Sequence, residues 1–189
     1  SKNLNGILKV NGKLDVPPQN LVSVSAPIGG FLKSTEMLEG MHVTKGQVIA
    51  VIEHPEIAQL QQDFVEAKSK YDYLDQELKR QQELNKENVN SAKVLQQTQS
   101  EFNIAQAKYK ALEERMRMAG INKNNVLNGN ISGMITVTSP INGYVTKVNV
   151  NIGKMINQQD VMFEIVDTEH LHAELTVFEK DITKIKEGQ

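Results

Sequence analysis

Cysteine and tryptophan are absent from this 189-residue chain, and aromatic residues make up only 5% of it. The lack of cysteine excludes a disulfide framework, a cysteine-based zinc site and a thiol nucleophile. So few aromatic residues argue for thin cores of aliphatic side chains rather than one large enclosed core. An enzyme cavity is therefore not expected, and the sequence predicts that the protein is not an enzyme.

The chain also lacks an excess of charge of one sign and any long apolar run. Lys and Arg number 21 against 23 Asp and Glu, and the net charge of −2 is too balanced to favour nucleic acid or anionic lipid as a partner. The longest apolar run, Val48 to Ile52, is far shorter than the roughly 20 residues of a membrane-spanning helix. No basic leader precedes Leu4, so we expect either a cytosolic chain or a processed form of an exported one.

Glycine and proline are missing from residues 56–119, whereas all 12 glycines and all 5 prolines lie elsewhere. Pro55 suits the first position of a helix, and Gly120 suits a left-handed C-terminal cap. Between them, apolar residues recur at spacings of three and four, as in the a/d seam of a heptad repeat. The first seam contains Ile57, Leu60, Phe64, Ala67, Tyr71, Leu74 and Leu78, and the second contains Leu95, Thr98, Phe102, Ala105, Tyr109, Leu112, Met116 and Ala119.

The polar stretch 85–91 separates the two seams. Two helices of about 30 residues joined by so short a turn must fold back on one another, which predicts an antiparallel hairpin about 45 Å long. A plain packing hairpin inside a helical bundle is the alternative, but the rest of the sequence offers no other helix for it to pack on.

The segments on either side of this window repeat each other without a gap at an offset of 113 residues. Residues 27–32 align with residues 140–145, and the following aligned pairs are Gly40 with Gly153, Val43 with Ile156, Val48 with Val161 and Ile52 with Ile165. Each copy has the glycine turns and short apolar runs typical of β-strands. A unit of about 32 residues cannot bury its apolar face alone, so the two copies should pair into one β sandwich that encloses the hairpin.

Alternating residues at 6–12 and 170–178 predict further strands outside the repeat. They suggest a third β module of which this chain holds only part, so we expect the chain to be a fragment.

No arrangement of residues in the sequence indicates catalysis. The histidines show neither a Ser-His-Asp spacing nor a nucleophile turn, and no glycine-rich run precedes a Lys-Ser or Lys-Thr pair. His170 and His172 would project from one face of a strand, and Met37, Met41 and His42 form a loose group of soft ligands. Two histidines do not complete a metal site. The sequence therefore predicts no catalytic residue, no metal site and no cofactor.

Residues 25–30, SAPIGG, and 139–145, SPINGYV, resemble the two half-motifs of lipoyl or biotinyl domains. With a coiled-coil hairpin between them, and with the tail segments 177–182 and 187–189, the chain resembles the periplasmic adaptors of tripartite efflux pumps, the membrane fusion proteins of the HlyD-like family. The start of the first helix, Pro55 to Leu60, and the segment 178–182 are most similar to adaptors of resistance-nodulation-division pumps of the cation-efflux type.

This resemblance implies an α+β fold, in which an antiparallel α-helical coiled-coil hairpin interrupts a lipoyl-like β sandwich and part of a β-barrel domain follows. We expect the partial β-barrel domain at 1–21 and 167–189, the lipoyl/biotinyl-like domain at 22–54 and 132–166, and the hairpin at 55–120.

The same resemblance implies a contact site at the hairpin tip. Adaptors that dock a TolC-like outer-membrane channel carry an Arg, a Leu four residues on and a Ser seven residues beyond that, and Arg80, Leu84 and Ser91 have these spacings. Leu84 departs from the seam and is predicted to be exposed, Arg80 offers a forked donor, and Ser91 can cap the second helix or face the partner. Thr98 stands where the family pattern often has an apolar residue.

The partners implied are an inner-membrane efflux transporter, an outer-membrane TolC-like channel and further copies of the chain in a ring of six, with no nucleic acid. The implied location is the periplasm of a Gram-negative bacterium, at the inner membrane, with export of metal ions or drugs as the function.

Three alternatives stay open from the sequence. The chain could serve an ABC-type exporter or a type I secretion system, or it could be a coiled-coil spacer without a transport role. A lipoyl or biotinyl carrier domain is disfavoured, because no Lys lies in a short exposed turn between the half-repeats.

Overall fold

The computed structural model of the chain describes residues 11–15, 20–89, 91–167 and 172–176. These residues form ten strands and three helices, which confirms the predicted mixture of helix and strand. Of the strands predicted at 6–12 and 170–178, residues 11–12 and 172–176 are described as strand, whereas the remaining residues of both and the segments 178–182 and 187–189 lie outside the described residues.

Eight strands form the two copies of the repeated unit, four in each copy. The first copy contains β2 (Leu21–Ser25), β3 (Gly30–Ser34), β4 (His42–Val43) and β5 (Val48–Glu53); the second contains β6 (Met134–Thr138), β7 (Gly143–Val148), β8 (Met155–Ile156) and β9 (Val161–Val166). The 113-residue offset places the first residue of every strand in one copy on the first residue of its counterpart. The internal repeat predicted from the sequence is therefore a repeat of structure.

The two copies exchange strands rather than forming one sheet each. One sheet has the order β2-β9-β7-β4 and the other the order β6-β5-β3-β8. Each sheet therefore contains two strands from the first copy and two from the second. All the pairs are antiparallel, and the inward faces of both sheets make one apolar core around Leu32, Ile52, Phe163 and Ile165. Neither copy can form this core alone, because each supplies half of both sheets.

Glycine is required where neighbouring strands within each sheet come closest, β7 to β9 in one and β3 to β5 in the other. A Cβ atom on Gly143 would lie 2.2 Å from the carbonyl oxygen of Val166, and one on Gly30, its counterpart in the first copy, would lie 2.7 Å from Cγ2 of Ile52. The glycine at the end of each repeated turn thus permits a close approach of strands that any side chain would prevent.

The hairpin consists of α1 (Pro55–Lys86) and α2 (Ala92–Met118). Pro55 begins α1 as predicted, and Gly120 has a φ of 71° just beyond the end of α2. Both seams face inward: Leu74 and Leu112 are buried, while the rings of Phe64, Tyr109, Tyr71 and Phe102 form a ladder with successive centroids 5.3–5.6 Å apart. The predicted antiparallel hairpin is confirmed.

A third helix, α3 (Lys123–Leu127), was not predicted. The asparagine-rich segment in which it lies has low helix propensity, but Asn122 caps the helix by accepting a hydrogen bond from the Asn124 N–H. Val126 is buried against the hairpin. Tertiary burial of one apolar side chain and a side-chain cap thus produce a helix that local propensity does not indicate.

A separate two-stranded antiparallel sheet joins β1 (Asn11–Asp15) to β10 (His172–Thr176). Residues 11–15 and 172–176 therefore pair with each other in a sheet separate from the two sheets of the sandwich. The boundaries expected for the partial β-barrel domain stay a prediction.

Candidate docking site at the hairpin tip

The tip begins with a left-handed turn that ends α1. Asn88 has a φ of 58°, the Asn88 N–H bonds the carbonyl of Asn85 at 3.1 Å, and the Val89 N–H bonds the carbonyl of Leu84 at 2.9 Å. This pair of bonds is a Schellman motif, in which asparagine takes the position usually held by glycine. The motif satisfies the last carbonyls of α1 and fixes the direction in which the chain leaves the helix.

Ser91 lies directly before the second helix, α2. Its hydroxyl accepts a hydrogen bond from the Val94 N–H at 3.4 Å, so it serves as the N-cap of α2. This is one of the two roles foreseen for Ser91. Ser91 is also exposed at the surface of the tip.

Arg80 lies on the exposed face of α1 near the tip. Its guanidinium is 65% exposed and lies 3.1 Å from the Glu77 carboxylate, an i,i+3 ion pair on the helix surface. Such an exposed pair contributes at most about 1 kcal/mol, so the guanidinium can exchange Glu77 for another acceptor at little cost. Next to Arg80 in the sequence, the Lys79 ammonium donates a hydrogen bond to the Asp75 carboxylate at 2.6 Å, and this bond raises the pKa of Lys79.

The prediction that Leu84 is exposed is wrong. Leu84 is partly buried, whereas Val89 is 67% exposed and Val94 is 43% exposed. Val89 is exposed because the chain turns back at Asn88, which places Val89 beyond the end of α1 and away from the seam. The exposed apolar groups of the tip therefore come from the turn and from the first turn of α2, a placement that heptad analysis does not address.

Of the residues considered as metal ligands, the structure describes the side chains of Met37, Met41 and His42, and each of the three has a different environment. Met37 is 6% exposed and belongs to the sandwich core, while His42 lies at the surface with its ring 5.0 Å from that of Tyr144. The sulfur of Met41 accepts the Leu38 N–H at 3.2 Å. His170 lies outside the described residues, and only the backbone of His172 is described, in β10. Within the described ranges, no three His, Asp or Glu residues form a group that could hold a metal ion.

The charged side chains around a depression of about 410 Å³ between α2 and α3 pair with each other. Arg117 hydrogen-bonds Glu114 at 2.5 Å and lowers the pKa of Glu114, and Lys123 forms an ion pair with Glu113. These are exposed surface pairs, and they form no acid–base arrangement.

Across the part of the chain that the structure describes, no helix is long and apolar enough to cross a membrane.

Known proteins are similar to this chain in sequence and in architecture. Residues 20–167 match the family of CzcB-like barrel-sandwich hybrid domains. The nickel and cobalt resistance protein CnrB of Cupriavidus metallidurans is 25% identical over 173 residues, which cover 92% of this chain and 42% of CnrB. The chain thus spans less than half the length of that relative.

Two solved structures resemble the fold. ZneB from Cupriavidus metallidurans has 25% sequence identity and a TM-score of 0.57, covering 94% of this chain and 73% of ZneB. A MacA-MexA chimera that contains the α-hairpin domain of Pseudomonas aeruginosa MexA has a TM-score of 0.62 over 94% of this chain and 57% of the chimera, at 19% identity. The likeness to the chimera concerns the fold alone. Since the family match covers the two-sheet unit and the whole hairpin, it confirms the resemblance to membrane fusion proteins: the chain belongs to the family of CzcB-like barrel-sandwich hybrid domains.

Proposed function

We propose that this chain is the central part of a periplasmic adaptor, which links an inner-membrane efflux transporter to an outer-membrane TolC-like channel. The observation that carries the proposal is the hairpin, whose 32-residue and 27-residue helices are inserted in a barrel-sandwich hybrid. Membership of the CzcB-like family supports the same role.

The role is mechanical rather than catalytic. At 1.5 Å per residue, α1 gives the rod a length of about 48 Å. The buried seam and the aromatic ladder hold its two helices together, and the base continues into the sandwich core. A rod of this kind can carry its tip to a partner at a fixed distance from the sandwich.

The tip has the chemistry of a small protein-binding surface. Val89 and Val94 expose apolar groups, Arg80 offers a guanidinium whose ion pair with Glu77 lies at the surface, and Ser91 contributes a hydroxyl. A single tip covers far less than the roughly 1,600 Å² of a standard interface, so one contact should be weak. Assembly of six copies in a ring would make the docking multivalent, and therefore strong without any new contact.

Divalent metal ions are the substrate class that we propose. The name of one relative supports this choice, since CnrB is a nickel and cobalt resistance protein. The transporter is then a proton-driven pump of the resistance-nodulation-division type. An adaptor for an ABC-type exporter is the alternative, and the class of transporter that copurifies with the adaptor decides between them.

Tip variants test the docking role against a matched control. Val89→Asp and Arg80→Glu should weaken binding to the outer-membrane channel and lower metal efflux, with the melting temperature unchanged, because both residues are exposed. Leu84→Asp should weaken binding as well, but it should also lower stability, since Leu84 is partly buried.

Ile104→Asp is the control, because Ile104 is as exposed as Val89, at 68%, but lies in the middle of α2. It should leave channel binding unchanged. Full binding and efflux in a Val89→Asp/Arg80→Glu double variant, expressed at the normal level, would rule out docking through the tip and favour a simple spacer.

A further inference from the structure

The place where the hairpin joins the sandwich contains a buried polar contact that the seam pattern does not explain. The chain leaves the sandwich after β5 and returns to it at β6, and the His54 N–H bonds the carbonyl of Gly133 at 2.9 Å where the two crossings meet. Two turns into α1, Gln61 is only 2% exposed. Its neighbours Leu60 and Phe64 belong to the seam, but Gln61 does not.

Every hydrogen-bonding group of the Gln61 amide is used. Nε2 donates to the carbonyl of Ser132 at 2.5 Å and to the carbonyl of Ile57 at 2.8 Å, and Oε1 accepts the Ser132 N–H at 3.1 Å. Towards Ser132, the side chain therefore behaves as a neighbouring β-strand would, with one bond given and one accepted by the same residue.

These bonds add a fixed orientation to a joint whose side-chain packing otherwise comes from apolar residues. Ile57 lies in the sandwich core although it belongs to α1, and Ile28 and Ile121 pack against both the sandwich core and the hairpin core. Apolar contacts of this kind resist separation but specify orientation poorly, because the hydrophobic effect is non-directional. A pair of hydrogen bonds with fixed geometry restricts the rotation of α1 relative to the segment at Ser132, which leads into β6.

We propose that Gln61 is a positioning residue that locks the hairpin to the sandwich, so that the two move as one body. Because the hairpin is long, a small rotation at the joint produces a large displacement of the tip. The end of α1 lies roughly 40 Å beyond Gln61 at 1.5 Å per residue, so a rotation of about 10° at the joint would displace the tip by about 7 Å. That displacement exceeds the length of any polar contact at the tip. The importance of the lock for docking rests on the proposed function; the lock itself does not.

Distance measurements on the whole chain test the lock directly. Because the chain contains no cysteine, Glu39→Cys in the sandwich and Gln76→Cys on α1 allow two spin labels to be attached at exposed positions. The wild-type pair should give one narrow distance distribution. Gln61→Met keeps the shape of the side chain without its hydrogen bonds and should broaden the distribution, whereas Gln62→Met, at the exposed neighbouring position, should not.

Gln61→Glu separates the hydrogen bonds from packing. A neutral carboxylic acid can donate to the Ser132 carbonyl and accept from its N–H, whereas an ionised carboxylate would face the Ser132 and Ile57 carbonyl oxygens without a donor. Burial raises the pKa of a carboxyl at such a site. The distribution of this variant should therefore be broad above that raised pKa and become narrow as the pH falls through it, while that of the wild type stays constant over the same range.

Amide hydrogen exchange provides a second measurement, and its wild-type arm needs no variant at position 61. Oε1 of Gln61 is the acceptor for the Ser132 N–H, so this amide should exchange slowly in the wild type and about tenfold faster in Gln61→Met. If the substitution prevents folding, fast exchange of Ser132 in the wild type would still overturn the proposal.

A narrow distribution in Gln61→Met, equal to that of the wild type, would overturn it too and assign the stiffness to the apolar contacts. Neither measurement involves the channel. A stiff joint combined with a failure of tip-dependent docking would therefore refute the adaptor role alone.

Discussion

Leu74 offers the sharpest test of how the hairpin is held together. It is 2% exposed in the seam of α1, where side chains of α2 cover it. Replacing a buried leucine by alanine costs about 2–5 kcal/mol, the cost rising with the cavity left behind. The hairpin has only two helices, so they can close part of the gap, and we expect Leu74→Ala to lower the free energy of unfolding by about 2–3 kcal/mol.

The neighbouring Tyr73 supplies a matched control. Its side chain is 58% exposed and its ring lies 5.4 Å from the Lys70 ammonium, a contact worth about 0.5–1 kcal/mol. Urea unfolding followed by far-ultraviolet circular dichroism should show a large loss for Leu74→Ala and less than about 1 kcal/mol for Tyr73→Ala. Leu74→Met should restore most of the loss, because the volume is nearly conserved. Equal losses at the two positions would refute the assignment of the seam.

Three further outcomes follow from the structure. Gly143→Ala places its Cβ 2.2 Å from a carbonyl of β9 and should cost at least about 3 kcal/mol in thermal unfolding, whereas Gly40→Ala, with open space but a φ of 86°, should cost only about 1–2 kcal/mol; equal costs would contradict the close approach. Arg117→Gln should raise the pKa of Glu114 towards its ordinary value in an NMR titration, because Arg117 lowers it; the small stabilisation from the pair is present at neutral pH and is lost as the pH falls through that lowered pKa, and an unchanged pKa would show that the pair does not form in solution. Joining His54 to Ser132 through a short glycine linker should leave a sandwich that unfolds cooperatively, although less stable than the parent because Ile57 leaves its core, and a broad, non-cooperative melting curve would show that the sandwich depends on the hairpin.

The sequence predicted the elements that depend on local pattern. A glycine-free and proline-free window with two heptad seams predicted both helices, the start of α1 and the end of α2, because the periodicity of a two-helix hairpin is present in the local sequence. The 113-residue offset gave the strands, since each copy repeats the same turns and apolar positions. His54 is an example of the remainder: its ring nitrogen accepts the Glu56 N–H and caps α1, although nothing in the sequence marks it as a cap.

The tip was predicted only in part. The spacing of Arg80, Leu84 and Ser91 located the region, and Ser91 is indeed a cap. The exposure of Leu84 was misjudged because it depends on where α1 ends, and the left-handed turn at Asn88 makes Val89 the more prominent apolar group. Val89 carries no periodic signal, so only the exposed fraction in the folded chain identifies it.

By itself, the sequence determined that a long helical hairpin interrupts two copies of one β unit, because helical periodicity and repetition need no knowledge of distant partners. The tertiary structure decided which strands pair, so that each sheet takes two strands from either copy, and it decided that Gln61 bonds Ser132, 71 residues further along the chain. The physical reason is the same for both. Hydrogen bonds between strands and between a buried amide and a remote backbone form only after the chain has closed long loops, so the identity of the partner is a property of the folded chain rather than of any local segment.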